Sequence, residues 1–196
     1  KVYKFVRPVG HTRQGNDEAV TVLVTPKKQQ LVNLGIDYAM GKNTLVKTEV
    51  AMSNYDANTF SALDNGDDRG FAAKFQINNA KQLRERNKLQ LLTMFDYEFV
   101  QSKFKPLERL RTVPETENII RASAGLKNSK NQGITYRFTN YQRGDSYKGF
   151  QNAIVQNTDW KGWQFNNEFV ITSFNALNDK GAFWRPTIDL SKQLKK

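Results

Sequence analysis

From Leu89 to Phe99 every second residue is apolar or threonine: Leu89, Leu91, Thr93, Phe95, Tyr97 and Phe99. The other register reads Gln90, Leu92, Met94, Asp96, Glu98 and Val100. Period two places alternate side chains on opposite faces, so this is a strand with one apolar and one wetter face. At ~3.3 Å per residue, such a stretch spans roughly 36 Å. Strands of water-soluble domains cluster near ~5–6 residues. A strand this long would also cross a bilayer when tilted.

The same pattern recurs along the chain. Strands are expected at Val2–Val6, Ala19–Thr25, Gln30–Met40, Thr44–Asn54, Phe71–Asn78, Asn118–Lys127, Ile134–Tyr141, Tyr147–Gln156, Gly162–Phe174 and Ala182–Leu190. Between them lie Gly41-Lys42-Asn43, which reads as a tight hairpin, and the turns Asn128–Gln132, Arg143-Gly144-Asp145, Asn157–Lys161 and Asn175–Gly181. Tyr55–Gly70 reads as a long polar loop, and Ala80–Asn87 as a charged connection with room for one helical turn. Short turns make sequence neighbours antiparallel partners. The expectation is therefore an all-β fold and a single domain over residues 1–196. It is an antiparallel meander of about ten long strands, forming a barrel or a broad twisted sheet cut from a larger β-array.

Alternation does not say which face is inside. A transmembrane barrel is apolar outside and polar inside; a soluble barrel or sandwich is the reverse. In water, Leu89, Leu91, Phe95, Tyr97 and Phe99 should share a buried face with Trp163, Phe165, Phe169 and Ile171. Asp96, Glu98, Gln164 and Glu168 should then be exposed. The opposite order would point to a lipid-facing surface.

Hydrophobic residues make up 38% of the chain and aromatics 12%, a balance that suits pleated sheets. Net charge is +11, and a polyanion is the partner such a charge suggests. The basic residues are dispersed along the sequence, however, which makes nucleic acid unlikely and leaves a glycan or lipopolysaccharide. With no cysteine, disulfides, thiolate metal sites and a cysteine nucleophile are excluded. No run of ~18 apolar residues marks a transmembrane helix, a test to which barrel strands are blind.

Chemistry-bearing clusters are few. Asp64, Asp67 and Asp68 crowd oxygen ligands around Gly66 in a way that suits Ca²⁺, although a solvated hairpin at Asn65-Gly66 is the commoner arrangement. His11 is the sole histidine and sits in a Gly/Pro loop. Glu115 with Glu117, and Asp96 with Glu98, are paired carboxylates of the kind glycosidases use, but an ion-paired strand face explains the second pair more simply. No enzyme and no cofactor is expected. Aromatic and basic residues mingle in the last third: Tyr136, Arg137, Tyr141, Arg143, Tyr147, Lys148, Trp160, Lys161 and Trp163. They are candidates for a glycan- or polyanion-binding surface, for an interfacial girdle, or for core packing.

Three strings, SNYDANTFSALDNGDDRGFAAKF (Ser53–Phe75), FDYEFVQSKFKPLERLRTV (Phe95–Val113) and DLSKQLKK (Asp189–Lys196), resemble a family of very large uncharacterised β-strand-rich cell-envelope or outer-membrane proteins of Bacteroidota. The resemblance covers roughly residues 30–196. It implies a place in the cell envelope of a Gram-negative bacterium, outer membrane or periplasm. It also implies a structural or binding role, and the remainder of a longer parent chain as the first partner.

Overall fold

The computed structural model describes residues 24–61, 63, 66, 68–107, 118–130 and 132–192, with 6, 7, 9, 10 and 12 near the N terminus. Nine strands follow one another: β1 (Lys28–Met40), β2 (Thr44–Asp56), β3 (Arg69–Arg84), β4 (Leu89–Val100), β5 (Asn118–Lys127), β6 (Gly133–Arg143), β7 (Tyr147–Trp160), β8 (Trp163–Ala176) and β9 (Asp179–Lys192). Each pairs antiparallel with its neighbours in sequence, giving one nine-stranded sheet in the order β1 to β9. The sheet is open, not a barrel. Among the described residues, β1 and β9 each pair with one strand only.

Three expectations need correction. Ala80–Asn87 is no helical turn: β3 runs on to Arg84, its bulge lying between Gln82 and Arg84. There the ladder to β4 outweighs the polar side chains, and the Gln90 amide donates to Gln82 Oε1 at 3.3 Å. Asn157–Lys161 is strand as far as Trp160, which pairs with Trp163 and leaves only Lys161-Gly162 as the turn. Likewise the turn at Asn175–Gly181 shrinks to residues 177–178. Most of the expected strands Val2–Val6 and Ala19–Thr25 lies outside the described residues.

The register sorts side chains cleanly. One line of partners runs Ile36, Thr48, Phe75, Tyr97, Ile120, Asn140, Phe150, Ser173. Its neighbour on the same face runs Tyr38, Val46, Ile77, Phe95, Ala122, Phe138, Asn152, Ile171, Trp184. The expected sharing of one face by Phe95, Tyr97 and Phe99 with Trp163, Phe165, Phe169 and Ile171 is what the register gives. The opposite face carries Asp37–Lys47, Glu49–Lys74, Gln76–Asp96 and Asp96–Arg121 as direct partners.

Exposure on β4 runs against the expectation for a protein folded in water. Asp96 is 3% exposed, while Phe95 is 41% and Tyr97 36%. Glu98 is half-buried, and so is Glu168; of the four polar residues only Gln164 is exposed. The buried strand residues Ser53, Asp96, Ile119, Ala153, Val170 and Thr172 all lie on the polar face. The exposed apolar residues of the strands lie almost entirely on the other: Leu34, Ile36, Tyr38, Met40, Phe71, Ile134, Phe169, Trp184 and Ile188 among them. The polar face is thus the sheltered side. Total accessible surface is 15803 Å², against about 9,500 Å² for a compact globular protein of 22.5 kDa. The described residues by themselves form no closed core.

One segment folds back over the sheltered side. After β4, Phe104 packs onto Gly70, where a Cβ would run into the Phe104 backbone. The Lys105 amide donates to Ser53 Oγ at 2.9 Å, and Gln29 Nε2 donates to the carbonyls of Lys105 and Pro106 at 3.2 and 3.0 Å. This strap covers one end of a groove of about 810 Å³ that includes Glu49, Lys74, Glu98 and Arg121.

Candidate functional site

Two surfaces carry the chemistry, and each follows from the strand alternation. On the polar face, Asp96 receives Arg121 from β5 and Lys74 from β3, the latter at 3.7 Å. Arg121 also lies 3.6 Å from Glu98. Farther along, Arg137 of β6 reaches across the small Ala153 of β7 to pair with Glu168 of β8. Lys47 and Asp37 pair at 2.7 Å. Opposite charges in cross-strand positions stabilise a sheet by roughly 0.2–1 kcal/mol each. Here they also keep buried charges partnered.

The apolar face is free of charge across its middle. Its charged residues are Lys28, Asp56, Arg69, Lys81, Arg84, Lys148, Lys180 and Lys192, all near strand ends. Polar residues between them bond to one another: Tyr136 Oη donates to Asn152 at 2.5 Å, Asn167 to Gln156 at 2.7 Å, and Gln156 to Thr158 at 2.8 Å. From Val32 to Met40 the uncharged run measures about 27 Å along the strand, or about 22 Å in height on a strand tilted by ~35°.

The centre of that apolar run shifts against the register between β1 and β8, unevenly from strand to strand, and moves back by two residues in β9. The run centres on Ile36 in β1 and on Asn167 in β8. The partner line from Ile36 arrives at Ser173, six residues from Asn167. Six residues are about 20 Å, and seven strand steps are about 34 Å. A level belt therefore requires strands inclined by about 30°, close to the 35–45° tilt of barrel walls.

The two ends of the sheet differ. One end has only short turns, at residues 41–43, 85–88, 128–132 and 161–162; the other has the long segments 57–68 and 101–117. In the short turns and the last two strand residues beside them stand Lys42, Arg84, Arg86, Lys88, Lys127, Lys130, Lys161 and Lys192, all exposed, against Glu85 and Asp159. The basic residues that are dispersed in sequence thus converge in space.

The nine candidate binding residues do not form one surface. Arg137, Tyr141, Arg143 and Tyr147 face the polar side. Tyr136, Lys148, Trp160 and Trp163 face the apolar side, and Lys161 is in the turn beside the two tryptophans. Tyr141 stacks on Tyr147 at 5.5 Å and Tyr147 on Phe174 at 6.1 Å, with Tyr141 lying over Gly149, where a Cβ would meet the ring at 2.5 Å. At the other end, Lys161 Nζ lies 5.3 Å from the Trp160 ring and Lys192 Nζ 4.8 Å from Trp163.

Of the acidic loop, Asp68 is described, and Asp64 and Asp67 lie outside the described residues, as do His11, Glu115 and Glu117. Among the described residues no three potential ligands gather around a metal position. Comparison with protein-family models, curated proteins and solved structures found no match.

Proposed function

We propose that this chain is a wall segment of a transmembrane β-barrel in the envelope of a Gram-negative bacterium. Its apolar face meets lipid, and its ion-paired face lines the interior. The observation that carries this reading is the inverted burial: Asp96 sheltered, Phe95 and Tyr97 exposed. Four features support it. The apolar belt is charge-free, its drift matches tilted strands, one end has short turns, and strands of ten to sixteen residues suffice to cross the hydrocarbon. The edges of β1 and β9 are then where further strands of the barrel pair, since an unpaired edge is not tolerated in lipid. The role is structural, with selectivity set by the charges of the inner face. A second reading, a sheet that binds a glycan from water, has the Tyr141–Tyr147–Phe174 stack in its favour.

The test is refolding by dilution from urea into phospholipid vesicles and, separately, into buffer. The wall reading expects β-structure that is protease-resistant with vesicles and aggregation without them. A monodisperse folded chain in buffer, indifferent to vesicles, supports the second reading.

A further inference from the structure

We propose that the short-turn rim is a docking surface for phospholipid headgroups, centred on Trp160, Trp163, Lys161 and Lys192, and that its ligand is the anionic phosphate of the leaflet this rim meets. The inference rests on the membrane reading and adds to it a partner of defined chemistry. Trp160 and Trp163 are direct partners across the turn, side by side on the apolar face. Trp163 lies four residues from Asn167, the centre of the β8 apolar run. On tilted strands that is about 11 Å from the midplane, at the border of a belt about 25 Å tall. Indole rings settle at that depth, and lysine stems carry their ammonium groups outward to the phosphate level.

The two ammonium groups sit over the two rings. Neither is paired with a carboxylate among the described residues. A lipid phosphate beside either ammonium group supplies a counter-charge. Lys161 also has a φ of 49° at the first position of a two-residue turn, where asparagine or glycine is the low-cost choice. A lysine held in a left-handed conformation at the lipid border favours a purpose for its charge. The other cations of the rim add a field of the same sign.

The experiment uses the full chain in vesicles of phosphatidylcholine, with and without phosphatidylglycerol. Trp184, inside the belt, reports insertion through quenching by lipids brominated on the acyl chain, in companion chains that also carry Trp160→Phe and Trp163→Phe, while the lipid preference itself is read in chains that keep both tryptophans. Lys161→Asn with Lys192→Gln removes the two charges while suiting the turn. The expected result is a preference for phosphatidylglycerol vesicles that weakens by about tenfold to thirtyfold in the charge variant, with Trp184 still quenched. A variant that keeps the full preference, Trp184 again quenched, overturns the docking surface and leaves the membrane reading intact. An unquenched Trp184 in every lipid overturns both.

Discussion

Removing the Asp96 carboxylate tests how much the charged face holds the sheet together. Asp96 is 3% exposed and neutralises two cations. Stranding a fully buried charge costs about 3–5 kcal/mol. In Asp96→Ala the stranded groups are not fully buried: the Arg121 side chain is 34% exposed and that of Lys74 46%. Arg121 also keeps Glu98 at 3.6 Å. Discounting for water at both cations leaves a loss of about 1–3 kcal/mol, roughly a 5-fold to 150-fold shift in the folding equilibrium. Adding Arg121→Ala should recover part of the loss, with a coupling of about 1 kcal/mol or more between the two sites. The assay is equilibrium urea unfolding of the four members of the cycle, in detergent micelles or vesicles, followed by tryptophan emission. A loss below ~0.5 kcal/mol in Asp96→Ala, with strict additivity in the double variant, would refute the claim that the ion pairs on the inner face are structural.

Other outcomes follow from the same geometry. Ile36→Lys or Phe95→Lys, in the middle of the apolar belt, should cost about 2–4 kcal/mol in a bilayer, whereas Thr44→Lys near a strand end should cost about 0–1 kcal/mol; urea titration in vesicles measures both. Gly70→Ala should dislodge Phe104 and the strap, because the new methyl meets backbone that cannot yield; proteolysis at residues 101–107 should rise.

Strands and their pairing were legible because apolar alternation and glycine- or asparagine-bearing turns are local signals. Phe95 against Asp96 announces a two-faced strand whatever surrounds it. Which face is sheltered was not legible, since period two is symmetric under exchange of inside and outside. The charge-free centre of the apolar register, Val32 to Met40 and Leu89 to Phe99, was the signal that could have decided it. The basic rim was missed for a topological reason. A meander returns to the same end at every second turn, so Lys42, Lys88, Lys130 and Lys161 are far apart in sequence and at one end in space. Summing charge over alternate turns would have found it. The extension of β3 through Ala80–Arg84 was hidden because polar side chains in a ladder look like a loop when read singly.

The central claim is that the apolar face meets lipid. Because the chain has no cysteine, single cysteines can be placed at successive positions from Leu91 to Val100 of β4 and spin-labelled in the vesicle-bound protein. Collision rates are then measured with oxygen, which partitions into lipid, and with a water-soluble nickel chelate. The account predicts a period of two. Oxygen accessibility should be high at 91, 93, 95, 97 and 99, with nickel accessibility low there, and the order should reverse at 94 and 98. Nickel accessibility as high at 95 and 97 as at 94 and 98, or a flat profile along β4, would contradict it.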